Sequence, residues 1–99
     1  MRLTQAQIEQ IKAVVSQLFG DQARVSLFGS RANDSARGGD VDLFISTPQP
    51  LNNPTILAAK VAARVMRFQQ GRKVDVVVKA PNISEQPIFD IAEKTGVLL

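Results

Sequence analysis

The chain has 99 residues, of which 44% are hydrophobic and 21% are charged, a composition typical of one ordinary globular domain. It contains no cysteine and no histidine, which excludes disulfides, zinc fingers, thiol nucleophiles and histidine-based catalytic triads. Its net charge of +3 is compatible with an anionic partner, but its only aromatic residues are five phenylalanines, so we do not expect a stacking surface for nucleic acid.

Hydrophobic periodicity and turn residues predict alternating helices and strands. The first helix has capping-box spacing at Thr4 and Gln7 and ends before Gly20, and Asn53 followed by Pro54 marks the start of the second. In chain order, we predict helix 4–19, strand 24–28, loop 29–39, strand 40–46, helix 54–70, strand 73–79 and helix 85–95. With no repeat and no flexible linker, residues 1–99 are expected to form a single α/β or α+β domain with a small mixed sheet.

Side chains alternate across a strand, so the three predicted strands present two very different faces. One face is wholly apolar and requires helices to cover it: Val25, Leu27, Val41, Leu43, Ile45, Val74, Val76 and Val78. The other face is mostly polar: Arg24, Ser26, Phe28, Asp40, Asp42, Phe44, Ser46, Lys73, Asp75, Val77 and Lys79. The alternation therefore predicts helices on one face of the sheet and an open groove on the other.

Three carboxylates, Asp40, Asp42 and Asp75, lie on the open face, although aspartate is depleted in strands. Asp40 and Asp42 are two residues apart, about 6.5–7 Å between Cα atoms, and Asp75 joins them if the second and third strands are neighbours. Three such carboxylates repel one another, and a divalent cation removes the repulsion. With oxygen ligands alone, that cation would be Mg²⁺ or Mn²⁺. The alternative interpretation is that Asp40 caps the strand while Asp42 and Asp75 simply face solvent.

A second candidate site follows the first strand. Gly29 permits close backbone approach, and Ser30 at the start of a helical turn offers a hydroxyl and free N–H groups to a phosphate. Arg31 and Arg37 are close in sequence and able to add charge-assisted contacts. The alternative is an ordinary Gly-Ser turn. A phosphate site beside a metal site is the arrangement that phosphoryl and nucleotidyl transfer require.

These residues resemble a known family. Gly29-Ser30, nine further residues, Asp40-Val41-Asp42-Leu43, and Asp75 on a later valine-rich strand are similar to the motif of the nucleotidyltransferases of the DNA polymerase β superfamily. The short chain resembles the minimal nucleotidyltransferases that act as antitoxins beside HEPN-domain toxins. The resemblance implies the nucleotidyltransferase fold, metal binding by Asp40, Asp42 and Asp75, and nucleoside triphosphate binding by Gly29, Ser30 and Arg31.

The resemblance also implies a function: Mg²⁺-dependent transfer of a nucleoside monophosphate, AMP from ATP, onto a hydroxyl of a HEPN toxin. Two alternatives stay open, namely a non-catalytic antitoxin that masks its toxin by contact and an enzyme with a small-molecule acceptor. No apolar stretch is long enough to span a bilayer and the N-terminus is not typical of a secretory signal, so we expect a cytoplasmic protein without membrane contact. We expect no direct nucleic-acid binding. The sequence leaves open whether the chain forms a homo-oligomer.

Overall fold

Two helices cover one face of a four-stranded mixed sheet, and a third helix lies against the other face. The computed structural model describes residues 3–28, 41–69 and 72–99. The elements in chain order are α1 (Gln5–Phe19), β1 (Arg24–Leu27), β2 (Val41–Ser46), α2 (Pro54–Phe68), β3 (Val74–Lys79), α3 (Pro87–Thr95) and β4 (Val97–Leu98). Within these described ranges, no helix is both long enough and apolar enough to cross a membrane.

The strand order in the sheet is β3-β2-β1-β4. β1 pairs antiparallel with both β2 and β4, whereas β2 and β3 run parallel and are joined through α2. The predicted mixed sheet is therefore confirmed, and the second and third predicted strands are neighbours. β4 is an added edge strand that the sequence patterning did not predict, because a two-residue strand is too short to show alternation.

Local signals set the bounds of α1. The Thr4 Oγ1 accepts a hydrogen bond from the Gln7 backbone N–H at 3.0 Å, and the Gln7 Oε1 accepts one from the Thr4 N–H at 2.8 Å. These two bonds form the predicted capping box. Gly20 ends the helix with φ of +94°, a left-handed conformation that other residues rarely adopt. The sequence prediction of both ends of this helix is confirmed.

The main hydrophobic core lies between the apolar face of the sheet and the helices α1 and α2. Every strand residue predicted to point toward the helices belongs to this core or packs against it. α1 contributes Ile11, Val15 and Phe19, and α2 contributes Val61 and Val65, all buried. Burying side chains of this kind stabilises the fold by about 1.5–3 kcal/mol each. This core fixes the register of the strands, and with it the face on which the acidic residues lie.

One detail of the predicted architecture is wrong, because α3 does not join the other helices. Its buried residues Phe89 and Ala92 pack against Phe28 and Phe44 on the acid-bearing face of the sheet. The physical reason is that Phe28, Phe44 and Val77 make part of that face apolar, and apolar surface of this size is stabilised by a covering element. The groove on this face is therefore open only where α3 does not cover it.

Candidate functional site

Asp42 and Asp75 lie side by side on neighbouring parallel strands. They are register partners of β2 and β3, so their Cα atoms are about 4.8 Å apart and their side chains leave the same face of the sheet. Both residues are half-buried, and the Asp75 side chain is 47% exposed. The structure thus brings together two of the three predicted carboxylates at the end of the sheet where both β2 and β3 begin.

The C-terminal end of β1 arrives at the same place. The Phe28 backbone N–H donates a hydrogen bond to the Asp42 carbonyl oxygen at 3.0 Å, and the Val41 N–H donates one to the Lys73 oxygen at 2.8 Å. Phe28 and Val41 are the described residues on either side of the 29–40 segment. The predicted site residues Gly29, Ser30, Arg31 and Asp40 lie outside the described residues, as does Arg37.

A small aromatic cluster supports this end of β1. The Phe28 and Phe44 rings meet edge to face with centroids 6.5 Å apart, and the Phe44 and Phe89 rings are 6.0 Å apart. Phe89 is 1% exposed, so α3 closes the cluster on its outer side. The cluster fixes Phe28, and the hydrogen bond from Phe28 then holds the end of β1 against Asp42. The sequence carried the signal for this cluster, because the alternation puts two phenylalanines on an otherwise polar face.

Lys73 is a charged neighbour of the acidic pair to which the sequence patterning assigned no role. Its Nζ lies 3.9 Å from the Asp75 Oδ1, and the two side chains are 67% and 47% exposed. At this exposure the ion pair contributes little to stability, about 0–1 kcal/mol. Its consequence is electrostatic: the ammonium group offsets part of the negative charge of the two carboxylates.

A large cavity lies elsewhere in the described part of the chain. It is an open cleft of about 1680 Å³ at the opposite end of the sheet, lined among others by Arg24, Ser46 and Lys79. Neither Asp42 nor Asp75 lines it. Cavity size thus draws attention to one end of the sheet and the acidic pair to the other. Two aligned carboxylates on adjacent strands are costly unless a charge partner or solvent accompanies them, so the acidic pair is the candidate site.

The donor set fits a hard divalent cation. The two carboxylates offer oxygen ligands only, which suit Mg²⁺ and Mn²⁺. Their partial exposure leaves room for the water and phosphate oxygens with which Mg²⁺ usually completes its coordination. A divalent cation bound by these carboxylates would neutralise a phosphate group held beside the end of β1.

Comparison with known proteins gives the same fold and a family. A family model described as a nucleotidyltransferase domain matches residues 8–98. No curated protein matches the chain. Among solved structures, a chain of a toxin–antitoxin complex with AMP-PNP is similar to this one with a TM-score of 0.72 and 15% identity, over 97% of this chain and 72% of that one.

Two further structures are similar over nearly the whole chain. One is a tri-AMPylated HEPN toxin from Shewanella oneidensis in complex with its MNT antitoxin, with a TM-score of 0.68, 15% identity, and coverage of 97% of this chain and 71% of that one. The other is a mutant MntA–HpeT toxin–antitoxin complex, with a TM-score of 0.64, 15% identity, and coverage of 93% and 69%. At these identities the likeness shows a shared fold. Because the family model spans residues 8–98, the chain belongs to the nucleotidyltransferase domain family, with the fold of a minimal nucleotidyltransferase.

Proposed function

We propose that this chain, as one domain over residues 1–99, is a Mg²⁺-dependent nucleotidyltransferase that transfers AMP from ATP to a hydroxyl of a partner protein. We propose further that the partner is a HEPN-domain toxin and that the chain is its cytoplasmic antitoxin. The observation that carries the chemistry is the register pairing of Asp42 with Asp75 beside the end of β1. The similar solved structures, which include AMP-PNP and an AMPylated HEPN toxin, support the nucleotide and the acceptor.

In this proposal the metal ion is held by Asp40, Asp42 and Asp75 together with oxygens of the triphosphate. Asp40 is two residues before Asp42, which puts both on one face of the strand if the extended backbone continues. When bound, the metal supplies charge neutralisation at the reacting phosphate. Without it, three carboxylates at this spacing repel one another and repel the triphosphate.

Gly29, Ser30 and Arg31 are proposed to hold the phosphates. Backbone N–H groups and the serine hydroxyl donate to phosphate oxygens, and the guanidinium adds a charged donor. The described end of β1 supports this role, because the hydrogen bond from Phe28 to Asp42 places the residue before Gly29 beside the acidic pair. Lys73 is positioned to add positive charge on the other side of Asp75.

The proposed reaction needs only positioning and one proton transfer. The acceptor oxygen attacks the α-phosphorus of ATP, the bond between the α- and β-phosphates breaks, and pyrophosphate leaves. Asp75 takes the proton of the acceptor hydroxyl, which its 47% side-chain exposure permits. The sequence contains no tyrosine, so a tyrosine acceptor would have to belong to another molecule.

The experiment is transfer from ATP labelled at the α-phosphate to the co-purified HEPN protein. We expect label on the partner with the wild type and loss of at least 100-fold in rate with Asp42→Asn or Asp75→Asn. Asp90→Asn is the matched control, because Asp90 is an exposed aspartate on α3 rather than on the strands that carry the acidic pair, and it should label normally.

Three results would contradict the proposal in different ways. Neutralisation of the toxin by the triple variant Asp40→Asn, Asp42→Asn and Asp75→Asn would favour masking by contact. Turnover of ATP with a small hydroxyl compound and no partner would favour a small-molecule acceptor. Labelling that survives Asp75→Asn would mean that Asp75 is not part of the catalytic site.

A further inference from the structure

The outer side of α2 carries an exposed apolar stripe, here called the outer seam. Ile56 and Met66 are 54% and 36% exposed, and Ala59 and Ala63 between them are exposed as well. Successive members of the seam are three, four and three residues apart, which is the spacing of the a and d positions of a coiled-coil helix. The side chains that α2 buries in its own domain occupy positions c and f instead. The seam is therefore a second apolar stripe, with the period that suits contact with another helix.

Two basic residues border the outer seam on one side. With Ile56 at position a, Lys60 and Arg67 both occupy position e, and both are exposed. Arg64, the third basic residue of α2, occupies position b and turns toward α1, where its Nη1 donates a hydrogen bond to the Gln17 Oε1 at 3.1 Å. The charge that borders the seam is thus that of Lys60 and Arg67.

No acidic residue of the described chain offsets this charge. α2 itself contains none, and every ion pair between described residues involves Lys73 or Lys79. Four acidic residues line the open cleft of about 1680 Å³, to which α2 contributes no residue: Glu9, Asp21, Glu85 and Glu93. The others lie on the face of the sheet opposite α2 or on the helix that packs on that face: Asp42, Asp75 and Asp90.

We propose that the outer seam binds an α-helix of another protein, one with apolar residues at its own a and d positions and acidic residues beside them. The alanines at the centre of the seam let the backbone of a second helix approach closely, and Ile56 and Met66 would pack against its apolar residues. Lys60 and Arg67 would each lie beside a carboxylate of that helix. The seam is on the opposite side of the sheet from the acidic pair, so this inference does not depend on the proposed transfer of AMP.

Three other occupants match the outer seam less well. A second copy of α2 packed antiparallel would bring position e against position e, where Lys60 and Arg67 of the two copies repel one another. Packed parallel, it would set them against the uncharged Thr55 and Ala62. An RNA strand would gain nothing from an apolar seam that has no aromatic residue. An anionic membrane binds helices through bulky apolar side chains, whereas the centre of the seam is alanine.

NMR titration of the ¹⁵N-labelled chain with synthetic peptides tests the inference. The probe is a peptide of about three heptads with leucine at a and d and glutamate at e and g, whose like charges oppose pairing with itself. The same peptide with lysine at e and g is the control. We expect the glutamate peptide to bind with a dissociation constant below about 1 mM and to shift the amide signals of the outer seam. The lysine peptide should bind at least about tenfold more weakly.

Variants of exposed residues locate the binding surface. The double variant Lys60→Glu with Arg67→Glu should reverse the preference and bind the lysine peptide more tightly. Ala59→Glu puts a carboxylate in the centre of the seam and should abolish binding of the glutamate peptide. Arg64→Glu is the matched control for Arg67→Glu, because it makes the same charge change at position b. At about 0.15 M salt, which screens charges beyond about 8 Å, it should change the affinity less than about twofold, against about fivefold for Arg67→Glu.

Several results would overturn the inference. One is the absence of binding of the glutamate peptide at about 1 mM, and another is equal affinity for the two peptides. Equal losses in Arg64→Glu and Arg67→Glu would mean that the charge acts without the seam. Self-association of the chain through the seam would replace the partner helix by a second copy. Tighter binding of a single-stranded RNA, or of vesicles containing phosphatidylserine, than of the glutamate peptide would replace it by a nucleic acid or a membrane.

Discussion

Replacing Phe89 with alanine tests whether the small core on the acid-bearing face is part of one cooperative fold. Phe89 is 1% exposed, its ring contacts Phe44 at 6.0 Å, and the Lys79 Nζ lies 5.8 Å from its centroid. Truncation of a buried phenylalanine costs about 3–5 kcal/mol, and the described contacts place this site at that level. A domain of this size is stable by about 5–15 kcal/mol, so the variant should remain folded but weakly.

Urea unfolding followed by circular dichroism measures the effect. With a slope of about 1.5 kcal/mol per molar urea, the midpoint of Phe89→Ala should fall by about 2–3 M. Ile91→Ala is the matched control on the same helix, since Ile91 is 51% exposed and should change stability by no more than about 0.5 kcal/mol. Equal and small shifts for the two variants would mean that α3 docks without contributing to the cooperative unfolding of the sheet.

Three further predictions concern the local contacts. Thr4→Ala removes the helix cap and should lower the free energy of unfolding by about 1 kcal/mol in the same urea assay. Asn82→Ala removes two hydrogen bonds to the Leu51 backbone, at 3.0 and 2.7 Å, and should lower the free energy of unfolding by about 1–3 kcal/mol. A decrease below about 0.5 kcal/mol would mean that these bonds do not stabilise the fold. The hydrogen bond to Glu93 raises the pKa of Lys79 above its ordinary value of 10.5, so its contribution is complete below pH 10.5 and is lost as the pH rises through the raised value. The midpoint temperature of thermal unfolding should therefore fall more steeply with pH above about pH 10.5 for the wild type than for Lys79→Met.

Strand alternation predicted the part of the fold that positions the candidate site. Eight apolar strand residues were assigned to one face, and all belong to or contact the core beneath α1 and α2. The same alternation put Asp42 and Asp75 on the opposite face, where they are register partners. The prediction succeeded because period-two patterning is strong when one face of a sheet is fully buried.

The position of α3 could not be predicted in the same way. Its apolar stripe, with Phe89 and Ala92 buried, indicates that α3 packs against the sheet, but does not indicate which face of the sheet it covers. The decision depends on Phe28 and Phe44, which lie 16 residues apart in sequence and meet only once β1 and β2 have paired. Alternation places both phenylalanines on the acid-bearing face, but their contact with each other and with α3 is decided by tertiary packing. The two-residue β4 is too short to show any alternation.

If Asp42 and Asp75 form one metal site, both should contribute to the binding of Mn²⁺ in the presence of ATP, which electron paramagnetic resonance measures. We expect that Asp42→Asn and Asp75→Asn each weaken Mn²⁺ binding at least tenfold, about 1.4 kcal/mol, while Asp90→Asn binds as the wild type does. Because the two carboxylates share one ion, the double variant should be much less than additive. Wild-type Mn²⁺ affinity in Asp75→Asn would mean that Asp75 does not share the ion with Asp42.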